Sequence, residues 1–118
     1  MGSPRPWQAK RMSIVSVYCV FANADEAERI GRSVVAEGLA ACINILGPCR
    51  SIYRWQGAIE TAEEAPAILK TTAETADALI ARISGLHSYE VPCIAVWPIE
   101  KLLLGYSEWV EQTVRASD

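Results

Sequence analysis

The stretch RSIYRWQGAIETAEEAPAILKT, Arg50 to Thr71, decides the fold. Gln56-Gly57 is a two-residue turn signal, so the chain doubles back there as a β-hairpin. SIYRW runs extended into the turn. Ala58-Ile59-Glu60 begins the return strand, and Pro66 to Thr71 carries it on. Pro66 has no N–H for a ladder and marks a bend or an unpaired position. Tyr53 and Trp55, two residues apart, share one side of the strand. An aromatic pair near a turn is costly to leave in water, and a hairpin of this length overhangs a small domain. The pair therefore points to a subunit interface.

Outward from the hairpin, two helices and two strands fall on either side. IVSVYCVF, Ile14 to Phe21, is almost continuously apolar and β-branched, which predicts a buried strand. Asn23 with Glu26 three residues later is a capping pattern, and Ala27, Ile30, Val34 and Val35 line one face of the helix that follows. Gly38 is its natural stop. LAACINIL, Leu39 to Leu46, predicts a second strand, broken at Gly47-Pro48. After the hairpin, Thr72 is a cap for a second helix with Ala76, Leu79, Ile80 and Ile83 at helical spacing, ended by Gly85. PCIAVWPI predicts the last strand. Tyr106 to Arg115 predicts a final helix with Tyr106, Trp109, Val110 and Val114 on one side.

The order β-α-β-β-α-β-α contains the split βαβ, ferredoxin-like arrangement, an α+β class. At 118 residues this is one domain. Residues 1–12 carry Pro4, Pro6, Lys10 and Arg11 and read as a disordered extension before a domain over 13–118. The extension holds three of the 11 cations, leaving 8 positive against 14 negative charges in the remainder. That balance argues against nucleic acid as the partner. No apolar run approaches the roughly 18 residues of a membrane span, and no secretion signal is seen, so the expectation is a cytoplasmic protein. Cys19, Cys42, Cys49 and Cys93 form no CxxC pair and are read as reduced thiols.

In a sheet ordered 4-1-3-2, the end of the first strand lies beside the starts of the third and fourth. Cys19 stands near that end. His87, the only histidine, precedes the fourth strand, and Glu60, Glu63 and Glu64 lie near the start of the third. A thiol, an imidazole and a carboxylate at one sheet edge are donors that copper or zinc uses. The competing readings are a loop histidine bonded to backbone and an activated Cys–His nucleophile. No oxyanion loop supports the latter, and the expectation is no enzyme. Lys70, between Leu69 and Thr71, is expected to be paired, with Glu64 a possible partner.

GLAACINI, SIYRWQGAIE, ILKTT and LHSYEVP stand in the order and spacing of the CutA family, associated with divalent-cation tolerance, and the chain resembles it from Ile14 to Val114. The resemblance implies a small cytosolic ferredoxin-like protein whose three chains pair long hairpins around a threefold axis, a closed heterologous ring. It implies Cu(II) or another divalent cation as ligand, no organic cofactor, and metal positions at Cys19 and His87, with Glu64 as a carboxylate. Glu64, Lys70, Tyr53 and Trp55 match positions in or near an inter-subunit cleft. The chain departs from the pattern at Ser88, where HPYEVP has proline, which predicts a looser loop around His87. Leu86 and Ala62 also replace possible ligands. The same shape resembles trimeric PII signalling proteins, so a scaffold binding a small anion through Lys70, or a partner protein, is the alternative.

Overall fold

The computed structural model describes residues 13–115; the expected N-terminal extension lies outside them. Five strands and three helices follow in order: β1 (Ile14–Phe21), α1 (Ala24–Ala36), β2 (Cys42–Ile45), β3 (Cys49–Trp55), β4 (Ala58–Thr72), α2 (Ala76–Leu86), β5 (Ile94–Pro98) and α3 (Leu104–Arg115). The antiparallel sheet runs β2-β4-β1-β5, with β3 continuing β2's edge along β4. With β2 and β3 counted as one interrupted strand, this is the ferredoxin-like order expected from the sequence.

The sheet has two unlike faces because side chains alternate along each strand. Val15, Val17, Cys19 and Phe21 of β1 and Ala67 and Leu69 of β4 point to the helix side. There they pack with Ala27, Ile30 and Val34 of α1 and Leu79 and Ile83 of α2. Each such Val, Leu, Ile or Phe stabilises the fold by roughly 1.5–3 kcal/mol. The other face is covered at one end by α3, whose Val110 and Val114 pack with Ile14 and Ala41. Trp109, expected on the buried side of α3, is instead 43% exposed and rests on Tyr106.

β4 is a single strand of 15 residues that passes straight through Pro66. The Pro66 carbonyl accepts from Leu46 N–H, so its ring nitrogen faces the same edge, where β2 gives way to β3. The missing donor thus falls at a gap in the ladder. Residues 58–64 of β4 pair only with β3, so the hairpin projects beyond the sheet and stretches the molecule to 58 Å. Its turn residues Gln56 and Gly57 both have positive φ, 49° and 83°, as a type I′ turn requires.

Several boundaries differ from the sequence reading: β5 is the shorter Ile94–Pro98, α3 begins two residues early at Leu104, and α2 runs on to Leu86. β2 begins at Cys42, not Leu39, because Gly38 and Leu39 complete a Schellman cap on α1: Gly38 N–H donates to Val35 O and Leu39 N–H to Val34 O. Thr72 closes β4 instead of capping α2; its hydroxyl donates to the Thr75 hydroxyl and accepts from Thr75 N–H in the turn before the helix. Gly31 is buried where α1 crosses Ile43, and a Cβ there would meet the Ile43 side chain at 2.8 Å. Gly31→Val is expected to destabilise the domain by about 1–3 kcal/mol through overpacking. A chemical denaturation curve with unchanged slope and a lower midpoint would show it.

Candidate functional site

The ends of β1 and α2 meet where β4 leaves the sheet for the hairpin. His87 caps α2 there, its N–H donating to Ile83 O. Its side chain is fully buried, stacked on Phe21 with ring centroids 5.2 Å apart. Nε2 lies 2.9 Å from Val20 O, and Nδ1 accepts from Tyr89 N–H at 3.0 Å. A carbonyl only accepts, so the proton sits on Nε2 and the lone pair on Nδ1. The backbone-bonded histidine is therefore what the structure shows, and both ring nitrogens are engaged.

Glu26 lies beneath this loop, 4% exposed. Asn23 Oδ1 accepts from Glu26 N–H at 2.8 Å, the expected half of the capping box. The Glu26 carboxylate does not close the box on Asn23. Oε1 accepts from Ala22 N–H and Oε2 from Ser88 N–H, and Oε1 stands 4.0 Å from His87 Nε2. Burial pushes its pKa up, but hydrogen bonds from Ser88 and Ala22 and the facing imidazole outweigh this and hold the carboxyl below the ordinary range. Ser88 thus ties the loop down: a proline there would have no N–H to give, so the looser loop expected from this departure is not what the structure has.

Cys19 is fully buried on the helix side, opposite Ala67 and Ile94. Burial, with Cys93 and Glu26 nearby, pushes its thiol up to about 12. Here it is a protonated core side chain, unsuited to act as an activated nucleophile. Glu64 falls on the opposite face of the sheet. Its Oε2 accepts from the Tyr89 hydroxyl at 2.6 Å, and burial followed by this carboxylate raises the Tyr89 phenol pKa. Cys49 is directly across the ladder from Glu64 and half-buried, its Sγ 3.6 Å from Ser51 Oγ. Tyr18 shares this open face, stacked on Trp97 at 4.8 Å; its pKa is raised by burial and by Cys49, Cys93 and Glu64.

Of the predicted residues, His87 and Glu64 are linked through Tyr89, while Cys19 is set apart from Glu64 by the sheet. Among the described residues no three His, Cys, Asp or Glu side chains converge as a metal site would need. Tyr53 and Trp55 lie on the Glu64 side of the hairpin, opposite Glu60 and Ala58, and are exposed. Lys70 is half-buried between Ser16 and Cys42. Six residues of strand, roughly 20 Å, separate it from Glu64, so Glu64 is not its partner. Sequence reading missed Tyr89 and Cys49. Tyr89's signal was its place two residues after His87; that of Cys49 was its register, visible once Trp55 is paired with Ala58.

A ferredoxin-like domain with an overhanging hairpin and a histidine clasped at the hairpin root defines the class. The model of the CutA1 divalent ion tolerance family matches residues 15–113, and the chain belongs to that family. The Divalent-cation tolerance protein CutA of Archaeoglobus fulgidus is 38% identical over 98 residues, 83% of this chain and 95% of that protein. Human Protein CutA is 33% identical over 104 residues, 88% of this chain and 58% of that protein. The structure of the periplasmic divalent cation tolerance protein CutA from Archaeoglobus fulgidus superimposes with a TM-score of 0.83 at 37% identity, covering 86% of this chain and 98% of that one. CutA1 from Ehrlichia chaffeensis gives 0.85 at 26% identity, covering 89% and 98%.

Proposed function

We propose that this chain is a non-enzymatic, cytoplasmic homotrimer that binds divalent cations, copper foremost, near a cleft between subunits. The observation that carries the reading is the hairpin. A two-stranded ribbon alone is marginal in water. This one leaves Ile52 68%, Trp55 59% and Ile59 63% exposed, on both of its faces. A surface of this kind needs cover, and copies of the chain arranged in a ring supply it. The family's association with cation tolerance supports the ligand class, and copper leads the divalent series for nitrogen and sulfur donors. Four free cysteines suit a reducing compartment.

The donors are His87 through Nδ1 and Glu64, with Cys49 as the thiol placed beside Glu64. Cys19 belongs to the core. Among the described residues three such donors do not converge, so a bound cation draws on a second subunit or on a local rearrangement. Light scattering is expected to give three times the chain mass, and Tyr53→Asp with Trp55→Asp to give monomers; a native monomer would sink the trimer. A Cu(II) titration with reductant removed tests the donors. Glu64→Gln and Cys49→Ser are expected to weaken binding about tenfold or more, and Cys19→Ser to leave it unchanged.

The second reading is a PII-like scaffold that takes a small anion at Lys70. What favours it is the position of Lys70, half-buried on the sheet face with no ion pair among the described residues. A thermal-shift screen separates the two readings, since a ligand of the native state raises the midpoint. Stabilisation by metals and by no anionic metabolite removes the scaffold reading.

A further inference from the structure

We propose that the open face of the sheet binds a small aromatic carboxylate between Lys70 and Trp97. The inference narrows the anion reading of Lys70 and rests on it. Cross-strand partners share a face of a sheet. Cys42, Lys70, Ser16 and Trp97 stand opposite one another in turn on β2, β4, β1 and β5. They form one row across the face turned away from α1 and α2. Among the described residues the Lys70 ammonium has no ion pair and the Ser16 hydroxyl no hydrogen-bond partner, although Ser16 is only 9% exposed. A strand position of this kind favours a β-branched apolar residue, and a shielded polar group left unpaired costs stability. Lys70 and Ser16 are thus two unused donors directly opposite each other, with about 5 Å between Cβ atoms. That spacing suits the two oxygens of one carboxylate.

The neighbours in the row set the rest of the ligand. On one side Cys42 Sγ lies 3.3 Å from the Tyr106 hydroxyl. Those two groups hydrogen-bond to each other and place no carboxylate beside Lys70. On the other side Trp97 is 47% exposed, and Tyr18 stacks on it with centroids 4.8 Å apart and planes 12° from parallel. The stack holds the indole as a rigid wall with apolar surface left open. Trp97 stands one strand spacing beyond Ser16, about 5 Å. A ring joined to the carboxylate directly or through one carbon spans that gap. Phosphate suits the row less well, because the row offers one cation and one hydroxyl, with no arginine fork and no cluster of backbone N–H groups.

The test is a titration at neutral pH and constant ionic strength, followed by the indole and backbone N–H signals in a nitrogen–proton NMR spectrum. The probes are benzoate, acetate, benzamide (a ring without charge) and inorganic phosphate. Native protein is compared with Lys70→Met, Ser16→Ala and Trp97→Leu, each shown to be folded by its thermal midpoint. Benzoate is expected to shift the Trp97 indole signal and to bind roughly tenfold tighter than acetate or benzamide. Lys70→Met is expected to weaken benzoate about tenfold or more, and Ser16→Ala about threefold while melting no lower than native. Trp97→Leu should hold benzoate no better than acetate. Acetate or phosphate binding that Lys70→Met abolishes, with benzoate no tighter than either, would overturn the aromatic ligand and leave the anion reading standing. Benzamide binding as tightly as benzoate, or benzoate binding unchanged in Lys70→Met, overturns the carboxylate contact. Native protein that binds none of the three anions removes this inference and the anion reading together.

Discussion

Phe21→Ala is expected to lower the unfolding free energy by about 3–5 kcal/mol, the range for truncating a fully buried aromatic. Phe21 is the largest of the fully buried side chains, and it closes the end of β1. It packs in the core with Val17, Ile30 and Leu79, and its ring carries the His87 imidazole. Truncation opens a cavity and removes the platform that holds His87 flat. Two effects should therefore appear together: a large drop in the denaturation midpoint, and a change in the His87 ring resonances. Phe21→Leu keeps most of the volume and should cost less than about 1.5 kcal/mol. If Phe21→Ala cost no more than Phe21→Leu, the end of β1 would not be a closed part of the core.

Glu26→Ala is expected to destabilise by about 2–4 kcal/mol, because the Ala22 and Ser88 N–H groups lose their acceptor together. The native carboxylate also gives a signed pH dependence. Its folded pKa lies below the ordinary value, so the unfolded chain binds the proton more readily. The stabilisation is fully present above about pH 4.3, the usual glutamate value, and is lost as pH falls through the lower folded value. Native protein should therefore lose stability in that acid window more steeply than Glu26→Gln, which cannot ionise. Urea midpoints collected from pH 3 to pH 7 measure this directly. Parallel profiles for the two proteins would remove Glu26 from the account of the loop. Arg29 Nη2 lies 4.0 Å from Oε2, but it is largely exposed and screened, and its truncation should change little.

Much of the fold was legible because its signals are local. β-branched runs, helical spacing in α1 and α2, and Gln56-Gly57 each depend on a few adjacent residues. Their order alone selects the split βαβ topology. Boundaries were less legible where a backbone bond outranks side-chain pattern. Leu39 to Ala41 are as apolar as a strand, yet Leu39 N–H is taken by the α1 cap. Pro66 looked like a break, and only its register beside the β2–β3 gap shows why the strand passes through it.

By itself the sequence determined the element order, the helix-side core, the aromatic hairpin and the donor types available. The tertiary structure decided which donors meet. It put Cys19 and Glu64 on opposite faces, because strand parity around Ala67 separates them. It set Cys49 across from Glu64 through the register of the turn. It placed Lys70 far from Glu64 along one strand, and brought Tyr89 onto both His87 and Glu64. These are contacts between residues distant along the chain or turned by a loop. Side-chain identity carries no information about them until backbone pairing fixes the distances.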